Sequence, residues 1–313
     1  MNRCIAIFGP TASGKSSLAL RLADELKGVI ISVDSMQIYR GMDIGTAKPS
    51  AREMDIIPHK MISICDPNES FSVYDFKKRA EEEIKNALQN KNVPILVGGT
   101  GLYFDALFFN TDFGTFDIKP EIRNKLEKEL IEQGGRPLLE RLKAIDPDAA
   151  MHLHEKDHKR IIRALEVYYS TGKSLTQFKL ESHRNKSEFN FLKLSLVFRC
   201  RDKLYKRIDD RVDLMVKDGL VEEAKQVYES NLLLYKTASQ AIGYKELVPY
   251  FTSERSLKEC LDVLKQKTRN YAKRQITWFR RYEDAYELVM DDGNDPFTLA
   301  LPVCKQFLKE DMI

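Results

Sequence analysis

The sequence predicts an α/β protein with a parallel-sheet core and an α-helical insertion. Three observations support this fold class. Short apolar runs alternate with amphipathic helical segments, a glycine-rich loop joins the first run to the first helix, and a long central stretch has helical patterns without a convincing strand. Strands and helices that alternate in this way are typical of a parallel sheet covered by helices.

The first part of the chain contains three short apolar runs, which predict buried strands. These predicted strands are Arg3–Phe8, Val29–Val33 and Pro94–Val97. Apolar residues at helical spacing lie between them and predict helices at Lys15–Leu26 and Val73–Leu88. A further helix is expected to start near Leu102.

The character of the sequence changes near Phe113, where helical patterns replace the alternation. Helices are predicted at Pro120–Gln133, Pro137–Ile145 and Lys159–Ser170. A strand at Leu192–Phe198 then resumes the sheet, followed by helices at Lys203–Lys217, Leu220–Ser230 and Leu257–Tyr282 and a last strand at Tyr286–Met290. The predicted organisation is therefore a core domain from residues 1–112 and 186–313, interrupted by a helical insertion at 113–185.

The composition indicates a globular chain that can bury a core. The chain has 313 residues, of which 43% are hydrophobic and 31% charged, and its net charge is only +3. No apolar run is long enough to cross a bilayer, so we expect no membrane partner. Met1–Phe8 lacks the long apolar core and small-residue cleavage site of a signal peptide, so we expect the protein in the cytoplasm. We also expect a monomer. Because the overall field is weak, an anionic partner must be held by local basic clusters. The five cysteines form no CxxC pair, so neither a disulfide framework nor a zinc finger is indicated.

A complete phosphate-binding loop follows the first predicted strand. It matches GxxxxGK[ST] and consists of Gly9, Pro10, Thr11, Ala12, Ser13, Gly14, Lys15 and Ser16. The strand before it and the helix after it are the context in which backbone N–H groups and a helix N-terminus surround an anion. Lys15 adds a mobile positive charge, and the Ser16 hydroxyl is a candidate Mg²⁺ ligand. The core is thus P-loop NTPase-like, and Mg²⁺ is the expected cofactor.

Asp34 and Thr100 are the candidate catalytic residues. An ordinary P-loop ATPase carries an Asp at the end of a later strand, but here Pro94–Val97 is followed by Gly98-Gly99-Thr100. The carboxylate instead follows the second strand, which favours group transfer over ATP hydrolysis. Asp34 is placed to act as a general base or, equally, as a turn or cap residue. Thr100 could bond a phosphate, orient Asp34 or cap the next helix.

Two weaker signals involve basic residues. Arg207 and Arg211 lie one helical turn apart, with Lys203 one turn earlier, and could contact diphosphate or RNA phosphate; a solvated basic stripe is an equal alternative. Near the C-terminal end of the chain, arginines and lysines interleave with aromatic residues. We expect these aromatics to be mostly core and some of the arginines to contact RNA.

Six blocks of sequence resemble one enzyme family, and they occur in the family's order over nearly the whole chain. The blocks are GPTASGKS at 9–16, ISVDSMQIYRGMDIGTAKP at 31–49, LVGGTGLYFDAL at 96–107, KRIIRALEVYYSTGKS at 159–174, AIGYKEL at 241–247 and KRQITWFRR at 273–281. They resemble bacterial tRNA dimethylallyltransferases, also called tRNA isopentenyltransferases. This set of blocks is far more specific than a phosphate-binding loop alone.

The resemblance implies transfer of a dimethylallyl group from dimethylallyl diphosphate to the exocyclic N6 of the adenosine immediately 3′ of the anticodon. It implies that the diphosphate lies in the P-loop, that Asp34 is the base, and that the partner is the tRNA anticodon stem-loop, which the helical insertion at 113–185 contacts. The tRNA-contacting residues that it implies are Asp34, Ser35, Met36, Gln37, Thr100, Arg123, Lys159, Arg160, Ile161, Ile162, Arg163, Gln240, Ala241, Ile242, Gly243, Tyr244 and Lys245. Gln240 departs from the family's usual basic residue, and Lys159 stands where some relatives have glutamine.

Three other functions fit part of this pattern. A P-loop kinase of a small metabolite or nucleoside shares the nucleotide-binding loop but needs ATP. An isopentenyltransferase acting on free adenine nucleotides shares the chemistry but not the RNA. A non-catalytic RNA-binding protein has no need of a complete P-loop. Turnover of dimethylallyl diphosphate with tRNA, or of ATP without it, distinguishes the first two from the main prediction.

Overall fold

The computed structural model describes residues 2–110, 120–182, 187–235 and 237–309. The chain forms two compact units, one from Met1–Phe104 and Glu188–Ile313 and the other from Asp105–Ser187. The boundaries predicted for the insertion, at residues 113 and 185, lie outside the described residues. Among the described helices, none is both long and apolar enough to cross a membrane.

The first unit contains one parallel sheet within its described residues. Its strands are β1 (Asn2–Phe8), β2 (Gly28–Val33), β3 (His59–Lys60), β4 (Val93–Gly98), β5 (Phe189–Val197) and β6 (Tyr286–Val289). They lie in the order β3-β2-β4-β1-β5-β6, and all neighbouring pairs are parallel. The predicted α/β parallel core is therefore confirmed.

Helices connect and cover these strands. They are α1 (Lys15–Leu26), α2 (Ala51–Ile56), α3 (Val73–Gln89), α4 (Gly101–Phe108), α10 (Arg201–Lys217), α11 (Leu220–Glu229), α12 (Val248–Phe251), α13 (Leu257–Phe279) and α14 (Pro296–Lys309), with short 3₁₀ turns at Leu232–Leu234 and Ala238–Gln240. The numbers α5 to α9 belong to the second unit. Helix α4 begins in the first unit and extends beyond Phe104.

Alternate residues of β1 bury themselves on opposite faces of the sheet, as the period of a strand requires. Ile5 and Ile7 belong to a core that also contains Leu18 and Leu22 of α1 and Ala300 of α14. Phe8 instead packs against Phe104 and Phe279, with ring centroids 5.4 and 4.9 Å apart. Burial on both faces explains why this strand is an uninterrupted apolar run.

The carboxyl ends of β2, β4 and β1 lie side by side. Gly98 at the end of β4 pairs with Val33 at the end of β2 on one side and with Phe8 at the end of β1 on the other. The segments that follow these strands therefore meet at one edge of the sheet, although they are far apart in sequence. In open α/β sheets this edge is where ligands bind.

The second unit has helices and no strand within residues 120–182. The helices are α5 (Pro120–Gln133), α6 (Gly135–Ile145), α7 (Pro147–Met151), α8 (His158–Thr171) and α9 (Leu175–Ser182). Leu126 of α5, Leu142 of α6 and Leu165 of α8 form its core. The three helices predicted for this region correspond to α5, α6 and α8 and are confirmed. Their ends differ from the predicted ends by at most two residues.

Several elements differ from the sequence expectation. Six were not predicted, namely α2, β3, α7, α9, α12 and α14. Strand β5 begins at Phe189, three residues earlier than predicted, and α13 ends at Phe279 and not at Tyr282. Strand β3 has only two residues, too few for a period to show.

Candidate active site

The P-loop runs from the end of β1 to the start of α1. Gly14 has a φ of +96°, a left-handed conformation that glycine adopts without the Cβ penalty, and it directly precedes the helix. The Lys15 ammonium folds back and donates a hydrogen bond to the carbonyl of Pro10 at 2.7 Å. Because the first amides of a helix have no intrahelical acceptor, the start of α1 offers donors to an anion.

A cavity of about 310 Å³ opens beside this loop. Its lining includes Lys15 and Ser16 of the P-loop, Asp34 after β2, Arg211 of α10, and Gln275 of α13. The structure thus brings together a phosphate-binding loop, a carboxylate and a second cation from separate parts of the first unit.

Lys15 and Arg211 are two cations in this cavity. Loss of hydration, together with the nearby charge of Arg211, lowers the pKa of Lys15 to about 7, while Asp34 acts in the opposite direction. Burial also lowers the pKa of Arg211, again opposed by Asp34. Two like charges at close range are unfavourable without a counter-ion, so the cavity is suited to an anion with several charges.

Asp34 forms a turn and also lines the cavity. Its Oδ1 accepts hydrogen bonds from the backbone N–H groups of Met36 at 2.8 Å and Gln37 at 3.3 Å. One carboxylate oxygen of Asp34 therefore stabilises a turn, as the alternative interpretation of this residue expected. It does not exclude a role as base, because the side chain also lines the cavity.

Thr100 contacts the turn that carries Asp34. Its Oγ1 accepts a hydrogen bond from the Ser35 N–H at 3.1 Å and donates to the Ser35 hydroxyl at 3.4 Å. Of the alternatives open for Thr100, the structure favours orientation of Asp34, acting through Ser35.

Gln37 makes internal hydrogen bonds with both ends of its amide. Its Oε1 accepts from the Ser32 hydroxyl at 2.8 Å, and its Nε2 donates to the carbonyls of Thr46 and Ala47 at 3.2 and 3.0 Å. The predicted tRNA contact of Gln37 stays a prediction, but its side chain is already part of the wall of the cavity.

A carboxylate from α11 holds the loop that supplies those carbonyls. Glu223 accepts hydrogen bonds, all of 2.9 Å, from the N–H groups of Asp43, Ile44 and Gly45. The hydroxyl of Tyr244 donates to the same carboxylate at 2.9 Å. Burial, with the Glu223 charge beside it, raises the pKa of Tyr244.

The predicted segment 240–245 therefore divides into two groups. Ala241 and Tyr244 are buried, with 2% and 0% of their surface exposed, whereas Gln240 and Lys245 are exposed. Gly243 is also buried, and its N–H donates to Glu246 at 2.9 Å. RNA contact by this segment, including Ile242, stays a prediction, and the tyrosine side chain has a structural partner instead.

Arg207 and Arg211 differ in their surroundings. Arg207 donates from Nε to the carbonyl of Ala12 at 2.9 Å and so supports the P-loop from outside. Lys203 donates to the carbonyl of Asp291 at 2.9 Å. Only Arg211 of these three lines the cavity, so the predicted basic stripe does not act as one surface.

The second unit carries its own cluster of predicted RNA contacts. Glu166, only 1% exposed, forms ion pairs with Arg163 at 3.1 Å and with Arg123 at 3.5 Å. Lys159 and Arg160 are exposed. Ile161 and Ile162 belong to the core of this unit, so the cationic side chains are the part of segment 159–163 that is available to an RNA phosphate.

Sequence reasoning missed three polar side chains. Gln275 and Lys48 line the cavity, and Glu223 holds the loop beside it. Lys48 is almost fully buried and donates to Ser63 at 2.8 Å and to Asp43 at 2.6 Å, and also to the Tyr39 carbonyl. Gln275 had a detectable signal, because it lies one helical turn after Tyr271 on a helix whose neighbouring positions are basic.

These features define a P-loop protein in which a phosphate-binding loop, a carboxylate and a half-buried arginine share one cavity at the carboxyl edge of a parallel sheet. The chain belongs to the IPP transferase family, whose family model matches residues 37–282. The resemblance identified from the six sequence blocks is confirmed.

Individual relatives cover most of this chain. A protein of Halothermothrix orenii named tRNA dimethylallyltransferase is 47% identical over 280 residues, which are 90% of this chain and 85% of that protein. The crystal structure of the full-length tRNA isopentenylpyrophosphate transferase from Bacillus halodurans is 40% identical, with a TM-score of 0.73, and covers 99% of this chain and 98% of its own. A eukaryotic dimethylallyltransferase acting on tRNA is 30% identical, with a TM-score of 0.85, and covers 99% and 80%.

Proposed function

We propose that the protein transfers a dimethylallyl group from dimethylallyl diphosphate to the exocyclic N6 of the adenosine immediately 3′ of the anticodon in tRNA. The observation that carries the proposal is the cavity in which Lys15 and Arg211 lie with Asp34. Membership of the IPP transferase family and relatives named tRNA dimethylallyltransferase support tRNA as the substrate. They do not favour a kinase or an enzyme of free adenine nucleotides.

The cationic side of the cavity suits the leaving group. As the bond between the allylic carbon and the diphosphate oxygen breaks, negative charge accumulates on the diphosphate. Lys15, Arg211 and the amides at the start of α1 are donors that stabilise this charge. Ser16 and the diphosphate oxygens are hard oxygen ligands of the kind that Mg²⁺ prefers, so the donor set fits this cofactor. When bound, Mg²⁺ would neutralise part of the same charge.

The carboxylate side of the cavity suits the nucleophile. The adenine N6 is a weak nucleophile because its lone pair is delocalised into the ring. As the new carbon–nitrogen bond forms, the nitrogen becomes positively charged and must lose one proton. We assign that proton to the Asp34 carboxylate, which is held in place by Met36 and Gln37. The products are N6-dimethylallyl adenosine and diphosphate.

An RNA substrate must also be held by its phosphates while its target base leaves the stack. The second unit supplies the exposed cations Lys159 and Arg160 for this task, together with the half-buried Arg163, which is paired with Glu166. We propose that these side chains, with Arg123, bind the phosphates of the anticodon stem-loop. We further propose that the enzyme acts in the cytoplasm, where disulfides are rare; its five free cysteines support this location. We also propose that it acts as a monomer.

The proposal is tested by supplying the purified protein with a tRNA anticodon stem-loop and dimethylallyl diphosphate in the presence of Mg²⁺. The expected product is an RNA that has gained the mass of one dimethylallyl group on the adenosine 3′ of the anticodon. Stem-loops with guanosine at that position are the matched control. Transfer to free adenosine monophosphate at a similar rate, or ATP turnover without any transfer, would contradict the proposal.

A further inference from the structure

One buried glutamine of α13 joins two loops of the candidate site. Gln275 is 5% exposed, and its Oε1 accepts a hydrogen bond from the N–H of Thr11 in the P-loop at 2.8 Å. Its Nε2 donates to the carbonyl of Gly99, in the loop after β4, at 2.9 Å. The side chain therefore links the loop that would hold the diphosphate to the loop that carries Thr100.

The missing side chain at Gly99 leaves space for the Gln275 amide. A Cβ atom added at Gly99 would lie 2.1 Å from Nε2 of Gln275, closer than two such atoms can approach. Glycine at position 99 is thus what allows the amide to reach the main chain. The direction of the amide is also determined, because the Thr11 N–H can only donate and the Gly99 carbonyl can only accept.

The link continues to the turn that carries Asp34. Thr100 directly follows Gly99 along the chain, and its Oγ1 accepts a hydrogen bond from the N–H of Ser35 at 3.1 Å. Ser35 is adjacent to Asp34. The contacts therefore run from the P-loop through Gln275 and the Gly99–Thr100 segment to the turn that carries the predicted base.

We propose that Gln275 is a positioning residue that sets the separation between the P-loop and the Thr100–Asp34 region, and so aligns the allylic carbon with the attacking nitrogen. This inference rests on the proposed function. Misplacement of reacting groups by about 1 Å can reduce a rate by about 10²-fold, even when the altered residue does not contact the substrate. A glutamine with only a structural role would affect folding stability and leave the rate of the bound complex unchanged.

Two substitutions separate the two ends of the amide. Gln275→Met keeps the length of the side chain but removes both hydrogen bonds. Gln275→Glu keeps the acceptor for Thr11 but has no N–H for the Gly99 carbonyl. Gln266, exposed on the same helix, is the matched control and receives the same two substitutions.

The first measurement is the single-turnover rate of transfer at saturating dimethylallyl diphosphate and stem-loop. We expect both Gln275 variants to be slower by about 10- to 100-fold, with dissociation constants for each substrate within threefold of the unmodified protein. The Gln266 variants should react at the unmodified rate. Equal rates for the Gln275 and Gln266 variants, or a loss explained entirely by weaker binding, would overturn the proposal.

The second measurement is hydrogen exchange of the Thr11 amide, which needs no activity. Exchange should be faster by at least about tenfold in Gln275→Met and close to unmodified in Gln275→Glu, because only the latter keeps the acceptor. Unchanged exchange in Gln275→Met would show that the link does not hold the P-loop. If the unmodified protein transfers no dimethylallyl group to RNA, the proposed function fails, whereas the exchange result still reports whether the link exists.

Discussion

The Asp34 carboxylate has a structural role and a proposed chemical role, and its two oxygens can divide these roles between them. Oδ1 accepts from the Met36 and Gln37 amides, and the side chain also lines the cavity with Lys15. An asparagine at this position keeps an acceptor oxygen for the turn but cannot take a proton. The residue therefore allows the structural duty to be separated from the proposed chemical one.

We expect Asp34→Asn to lower the single-turnover transfer rate by about 10²- to 10⁴-fold, the usual contribution of a general base. Affinities for stem-loop and dimethylallyl diphosphate should stay within a few fold. Asp55→Asn, an exposed aspartate of α2, is the control. A variant that transfers at the unmodified rate would assign the base elsewhere, and recovery by added Mg²⁺ would indicate a metal ligand instead.

The lowered pKa of Lys15 predicts that diphosphate binding depends on pH. Its pKa is about 7 in the free protein, because burial and Arg211 disfavour the charged form. A bound anion favours that form and raises the pKa, so binding takes up a proton above pH 7 and affinity falls as pH rises. We expect the dissociation constant for inorganic diphosphate to increase by up to about tenfold per pH unit above pH 7 relative to Lys15→Arg.

The Arg variant is the control because it stays charged throughout, while the protonation of diphosphate itself affects both proteins equally. Calorimetry in two buffers of different ionisation enthalpy gives the same test on the unmodified protein, as proton uptake at pH 8. Parallel curves for the two proteins, together with no uptake, would show that Lys15 is already fully charged in the free protein.

At the scale of secondary-structure elements, the strands that lead to the site were predictable from the sequence, whereas some of the helices that pack against them were not. Strands β1, β2 and β4 are continuous apolar runs, because both of their faces are covered. Helix α14 was not predicted, and Pro302 in its interior disfavours a helix. Tertiary contacts outweigh that preference, because Ala300 and Cys304 of α14 are fully buried in the main core.

Glu223 of α11 gives the sharpest prediction at this scale. Its carboxylate satisfies three backbone N–H groups in the loop that contacts Gln37. Glu223→Gln replaces one acceptor with a donor and leaves at least one of these groups unpaired. We expect the free energy of unfolding to fall by about 1–3 kcal/mol, measured by chemical denaturation. The exposed neighbour Glu222→Gln is the control, and equal stabilities would contradict the role of this carboxylate.

At the scale of the whole molecule, the candidate base Asp34 and the cations of segment 159–163 belong to different compact units. Substrate binding and chemistry should therefore respond to different substitutions. We expect Arg160→Ala with Arg163→Ala to raise the KM for tRNA and to reduce the salt dependence of RNA binding by about one ion per lost phosphate contact. The affinity for diphosphate should not change.

The control for this pair removes the same charge from α5, by Lys125→Ala with Lys128→Ala, both of which are exposed. RNA affinity is measured at several salt concentrations, because a single value does not separate charge from other contacts. An unchanged slope in the arginine variant would place the RNA on another surface, and a larger loss of affinity in the lysine variant would place it on the part of α5 that carries Lys125 and Lys128.

The sequence by itself determined the P-loop, the strands beside it and the position of Asp34, because each depends on residues that are neighbours along the chain. A glycine loop between a strand and a helix is a local pattern, and so is a carboxylate at a strand end. Only the tertiary structure decided the roles of Arg211, Glu223 and Gln275. Their partners lie far away in the chain (Thr11 is 264 residues from Gln275), and the polarity of a side chain does not reveal which distant backbone groups it will meet when buried.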